Sequence, residues 1–261
     1  MLRLWACLVA VVIMSMTAQA ASLDEARQHY IEGRYEQALS STQNLNDVEA
    51  YLLASEALSA QILLGQVRKP HKRAREAVRY AEDALKKDPN NMRARLQYAL
   101  AYGLMTRSSG ALKAWRKKYP VKSRDIILAL KTDVPDNPRV EALLGAWHLG
   151  VVRKAGEKNA QKWYQANVAA GQAAYERALE VSPNDILILS QYAVSLLVVA
   201  PATHKAQVSD LLKTAITIEP VMAIDRLVQA RMMSILEALS ENDKTARKLA
   251  EDFLDSRPAI S

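Results

Sequence analysis

The sequence predicts an all-α protein built as an array of helix-turn-helix pairs, and three observations carry that expectation. Alanine and leucine are abundant in a chain that is 50% hydrophobic, yet it holds only 8 glycines and 1 phenylalanine, a helix-forming composition. No segment shows the apolar–polar alternation of a half-buried strand. Every break between apolar segments carries Pro, Gly or Asn, residues that stop helices by withholding a backbone donor or accepting a left-handed turn.

The first twenty residues, MLRLWACLVAVVIMSMTAQA, hold one basic residue (Arg3), an apolar run from Leu4 to Met16 and small residues at Ala18 and Ala20. That run falls short of the roughly 20 apolar residues of a span, so 1–20 reads as a secretory signal peptide cut after Ala20. An uncleaved anchor is the other reading. The remaining domain, 21–261, has no cysteine, since Cys7 is the only one. Its stability must then come from apolar packing rather than disulfides. A leader, no thiol and no glycosylation sequon place the mature chain in a bacterial periplasm.

Helical segments are predicted at 22–31 and 35–44 around a Gly33-Arg34 turn, at 48–67 up to Lys69-Pro70, and at 73–87 up to Asp88-Pro89. The next covers 91–106 and stops at Ser108-Ser109-Gly110, and a broken stretch covers 111–132, interrupted at Tyr119-Pro120. Segments 139–154 and 159–181 stop at Gly156 and Ser182-Pro183. Segments 185–199, ending before Pro201, then 205–218, 222–239 and 244–254 complete about a dozen helices.

The prolines that follow helices reveal a repeat. Eight residues before Pro89, Pro135, Pro183 and Pro220 stand Ala81, Ile127, Tyr175 and Leu212; five before stand Ala84, Leu130, Ala178 and Ala215. Ten residues after them stand Ala99, Gly145, Ala193 and Ala230, each small. A small side chain at one point on each first helix lets its partner approach, and the proline lets the chain reverse. Each pair has an apolar face it cannot bury alone, so pairs must stack.

Tyr98-Ala99, Leu144-Gly145 and Tyr192-Ala193 on first helices, with Ala84, Ala178, Ala215 and their prolines on second helices, resemble the tetratricopeptide repeat (TPR). GRYEQAL, 33–39, is similar to another turn of the same kind. The resemblance touches most of 22–255 and implies a TPR-like superhelix that serves as a scaffold for protein binding through a groove lined by first helices. Proline spacings of 46, 48 and 37 exceed the period of 34 residues typical of that repeat. The extra length, in 103–131 and 151–174, implies longer second helices or inserted turns, and either an open or a closed array. The LLGAWH run at 143–148 also resembles the regulator-of-microtubule-dynamics type of irregular repeat protein and the helical T component of periplasmic solute-transport systems; it assigns the chain to neither.

No phosphate-binding glycine loop, nucleophile elbow or metal-binding histidine pair is present. His29, His71, His148 and His204 lie far apart. The expectation is a non-enzymatic protein with no catalytic residue, no metal and no cofactor. His148, beside Trp147, reads as a packing residue where the repeat carries a large ring; a buried imidazole site is the alternative. Trp163-Tyr164 and Tyr175 are placed on one long helix, where shared packing or a pocket wall would account for them.

Charge is the more informative feature. Residues 68–124 hold 17 Lys/Arg against four acidic residues, in a chain whose formal net charge is +7. Such a block attracts anions at a range set by salt. Its expected contact patch is Arg68, Lys69, Lys72, Arg73, Lys113, Arg116, Lys117, Lys118 and Lys122. Export argues against nucleic acid, leaving anionic lipid, an anionic polymer or an acidic protein; a merely solvated basic face is the plain alternative.

The leading expectation is a scaffold or adaptor that binds a cell-envelope protein in its concave groove. Positions four, seven and eleven past each proline would face that groove: Arg93, Leu96 and Leu100; Arg139, Ala142 and Ala146; Leu187, Ser190 and Val194. The alternatives are a small-ligand-binding accessory of a periplasmic transport system, with a pocket near Trp147, Trp163 and Tyr164, and an adaptor held to a membrane or cell wall by the basic block.

Overall fold

The computed structural model describes residues 22–258, so the expected leader and its cut after Ala20 lie outside the described residues. Fourteen helices and no strand occur among the described residues: 22–31 (α1), Tyr35–Thr42 (α2), Val48–Leu63 (α3), Pro70–Lys87 (α4), Met92–Arg107 (α5), Ala111–Arg116 (α6), Tyr119–Asp133 (α7), Pro138–Ala155 (α8), Glu157–Tyr164 (α9), Val168–Val181 (α10), Ile186–Val199 (α11), Pro201–Thr217 (α12), Ala223–Glu241 (α13) and Asp243–Leu254 (α14).

Local chemistry sets most boundaries. Asp47, Asn91, Asn137, Asn167, Asp185 and Asn242 each cap a helix by accepting backbone N–H bonds with the side chain, which satisfies donors the first turn leaves orphaned. Pro70 and Pro201 stand first in α4 and α12, so both helices begin earlier than the sequence predicts. Proline's fixed φ suits the first helical position, where no N–H is needed. The single helix expected over 159–181 is two. Gln165 adopts φ 59 at the end of α9, and Asn167 caps α10. Tyr164 and Tyr175 therefore sit on different helices and share no helical face.

First and second helices pack as antiparallel neighbours: α3 with α4, α8 with α10, α11 with α12 and α13 with α14. Ala81, Ile127, Tyr175 and Leu212 are all buried, as are Ala84, Leu130, Ala178 and Ala215. Ala99 and Ala193 are buried too, and at Gly145 an added Cβ would stand 2.5 Å from the Tyr175 ring. Ala230 departs from the pattern: it is exposed.

The array closes on itself. One core cluster joins Tyr35 and Ala38 of α2 and Ala57 and Ala60 of α3 to side chains of α11, α13 and α14. Arg231 of α13 donates to the Leu64 carbonyl at 3.0 Å and to the Arg257 carbonyl at 3.0 Å. Gly65 adopts φ +71 and lies so close to Arg257 that a Cβ there would run into its carbonyl. Asp255 accepts from Arg153 at 2.9 Å and Lys154 at 3.1 Å, fastening the C-terminal segment to α8.

Burial raises the pKa of Asp255, but the bonds from Arg153 and Lys154 outweigh it and hold the carboxyl below its ordinary value. A carboxyl depressed in the folded state contributes stability above its unfolded pKa and loses it as pH falls through the folded one. The thermal midpoint is expected to drop below about pH 4, and Asp255→Asn, already lower at neutral pH, should show a shallower drop. Identical pH profiles for the two proteins, read by circular dichroism, would contradict the clasp.

Candidate ligand cavity

Closure turns the groove into a cavity of about 770 Å³ walled by first helices. Positions four, seven and eleven past a proline share one helical face, and that face is the inner one. Arg93, Leu96 and Leu100 of α5, Arg139, Ala142 and Ala146 of α8, and Leu187 and Ser190 of α11 all line the space. Val194 does not. It is fully buried in the core cluster, because α11 is flanked by α8, α12, α13 and α14, which cover that end of its inner face. Met222 just before α13, Ile224 and Val228 of α13 and Phe253 of α14 complete the apolar wall.

The charged groups sit toward the ends. Arg107 and Arg153 also line the cavity, each fourteen residues past Arg93 and Arg139, a helical distance of about 21 Å. Arg93 is not free to meet an acidic partner, as the sequence had led us to expect. It donates to Glu56 at 2.8 and 2.9 Å and to Glu49 at 2.8 Å, and these carboxylates outweigh burial to raise its pKa. Arg139 is exposed and makes no ion pair among the described residues. Arg153 is held by Asp255.

Arg107 differs from all of these. Its Nη2 is buried with no hydrogen-bond partner. Burial, reinforced by the charge of Arg153, pulls its pKa down to about 10 against the opposing pull of Tyr175 and Asp255, so it remains cationic at neutral pH. The Ser190 hydroxyl on the same cavity is likewise buried without a partner. Buried polar groups are nearly always paired, and here two residues that line an apolar space each carry a buried polar atom left unpaired. Gly103 and Gly150 widen that space: both line it, and a Cβ added at either meets nothing within 4 Å.

Two of the three aromatic residues expected around a pocket are there. Trp147 and Tyr164 line the cavity, and the Trp147 indole donates to the Pro120 carbonyl at 2.8 Å, bracing α7 against α8. Trp163 lies outside it, 67% exposed, with Lys162 Nζ 4.9 Å from its ring centre. His148 packs its ring edge-on against Trp147 at 4.9 Å, and burial, then Arg177, lowers its pKa. It is not a cavity residue, which agrees with the packing role.

The basic block is not one surface. Arg68 and Lys69 occupy the turn before α4. Arg73 is paired with Glu36 at 2.8 Å and Glu76 at 3.1 Å, and Lys72 approaches Glu76 at 4.0 Å. Lys113 Nζ lies 2.8 Å from His71 Nε2. Arg116, Lys117, Lys118 and Lys122 are exposed with no acidic partner among the described residues. Unneutralised cations of the block among the described residues therefore include those of α6 and the start of α7, and also the exposed Arg68 and Lys69 before α4.

The family model described as Regulator of microtubule dynamics protein 1-3 matches residues 13–240, a span that includes α3, α5, α8 and α11 and their cavity faces. The match is to this helical, repeat-like family rather than to the tetratricopeptide repeat. No curated protein matches the chain.

Proposed function

The chain belongs to the regulator-of-microtubule-dynamics family, and from that membership and its cavity we propose that it is a non-enzymatic binding protein for a small molecule with an apolar body and one acidic group. The observation that carries the reading is the cavity, whose volume of about 770 Å³ falls within the range of about 300–1,000 Å³ typical of small-ligand sites. Its apolar walls would take the body of the ligand and Arg107 the acid. The adaptor reading, in which the first helices hold a partner's segment, keeps one supporting feature, the exposed and unpaired Arg139 at the start of the groove. We place the protein in a bacterial periplasm after removal of its leader, in line with the apolar run and small residues of 1–20.

The test pairs two probes, laurate and lauryl alcohol, which differ only in the acid. Protein recovered from the periplasmic fraction should begin at Ala21 and bind one laurate, seen by native mass spectrometry and calorimetry. Gly103→Trp with Gly150→Trp fills the cavity from two open positions and should weaken laurate by about a hundredfold or more while the fold stays intact. Equal affinity of wild type and filled variant for laurate would overturn the reading. So would saturation by an envelope peptide in place of either probe.

A further inference from the structure

We propose that α6 and the last turn of α9 form a rim that seats this end of the array on an anionic lipid bilayer. The helix α6 has no buried residue. Ala111 and Ala114, three residues apart, line the cavity mouth, while Leu112 and Trp115, also three apart, stand 70% and 68% exposed. A short helix with two large apolar side chains in solvent and none in the core is poorly explained by the fold alone.

Topology adds the second element. The helix α6 follows the C-terminal end of α5, and α9 follows the C-terminal end of α8. The first helices α5 and α8 are neighbours, so both inserted helices cap the same end of the array. Trp115, Lys154 and Tyr164 all line the one cavity there, and Trp163, beside Tyr164, is exposed at that end.

Charge selects the occupant. Arg116, Lys117, Lys118 and Lys122 follow Trp115 with no acid to neutralise them among the described residues, and Lys162 sits over the Trp163 ring. Tryptophan with flanking cations is the composition that settles at a bilayer interface, ring at head-group level and charge against phosphate. Lys113 is tied to His71, which fixes α6 to α4 and holds the rim in place. An acidic protein would satisfy the cations but leave Leu112 and Trp115 unexplained. The proposal rests on the cavity reading only for its purpose, which is to open the cavity mouth toward the apolar phase.

The test uses the full mature chain with phosphatidylcholine vesicles, with and without phosphatidylglycerol. Flotation should occur with the anionic vesicles, weaken as salt rises, and blue-shift tryptophan emission. Leu112→Glu with Trp115→Glu should weaken vesicle binding at least about tenfold, and Arg116, Lys117 and Lys118 all changed to Glu by a similar factor. Lys86→Glu with Lys87→Glu, in the same basic block but on α4, should leave it unchanged. Flotation of the first variant equal to wild type, no flotation at all, or equal loss in the α4 variant would overturn the proposal. Laurate titration without vesicles separates the two readings: the variant with Arg116, Lys117 and Lys118 changed to Glu, none of which lines the cavity, should still bind it, and the cavity-filled variant should still float.

Discussion

Gly145→Ala is expected to lower stability by about 1–3 kcal/mol, while Gly150→Ala, in the same helix, raises it by about 0.5–1 kcal/mol. Both substitutions replace glycine by a better helix former, so propensity alone predicts two gains. Packing reverses the first. A Cβ on Gly145 would stand 2.5 Å from Tyr175 Cδ2 and 2.9 Å from Cγ and Cε2. That ring is fully buried and stacked on Tyr192, centres 4.7 Å apart and planes 13° apart, so it has nowhere to move. At Gly150 a Cβ enters the cavity and meets nothing within 4 Å. For a chain of this size the two changes correspond to about 2–4 °C in thermal midpoint per kcal/mol, in opposite directions. Tyr175→Leu combined with Gly145→Ala should show coupling, each change costing less in the presence of the other. Two midpoints that moved together would mean that α8 does not meet α10 at Gly145.

Arg107→Leu should cut laurate affinity by about tenfold to a hundredfold and leave lauryl alcohol untouched, since a hydrogen bond to a charged group contributes about 1.5–3 kcal/mol. Stability should stay level or rise by up to about 1 kcal/mol, because the side chain removed is a buried cation with an unpaired Nη2. Loss of function without loss of stability is the outcome that separates a ligand anchor from a structural charge. Arg107→Lys keeps the charge but not the planar fork and should retain part of the affinity. If laurate and alcohol weakened equally in Arg107→Leu, the acid would be ruled out as the recognised group.

The repeat was legible because its signals are local. Asn91, Asn137 and Asp185 cap helices that follow Pro89, Pro135 and Pro183, and these positions alone place the inner faces of α5, α8 and α11. All the groove positions except Val194 followed from counting along those faces. Arg107 was hidden because, in sequence, it is one more cation in a basic block. The only trace of its role was the fourteen-residue interval it shares with Arg153, measured from Arg93 and Arg139. Pro70 and Pro201 were read as stops although each opens a helix, since proline's φ suits both the residue after one helix and the first of another.

By itself the sequence determined the helical class, the pairing of helices and which face of each first helix looks inward, because caps, prolines and small residues act within a few positions of themselves. Only the tertiary structure decided that the groove is walled into a cavity with a mouth and that Arg107 on it keeps a buried, unpaired guanidinium nitrogen. Closure depends on Arg231 reaching Leu64 across 167 residues of chain and on Gly65 meeting Arg257. Pairing depends on which acids come within reach after that closure: Glu49 and Glu56 come to Arg93, Asp255 comes to Arg153, and none comes to Arg107.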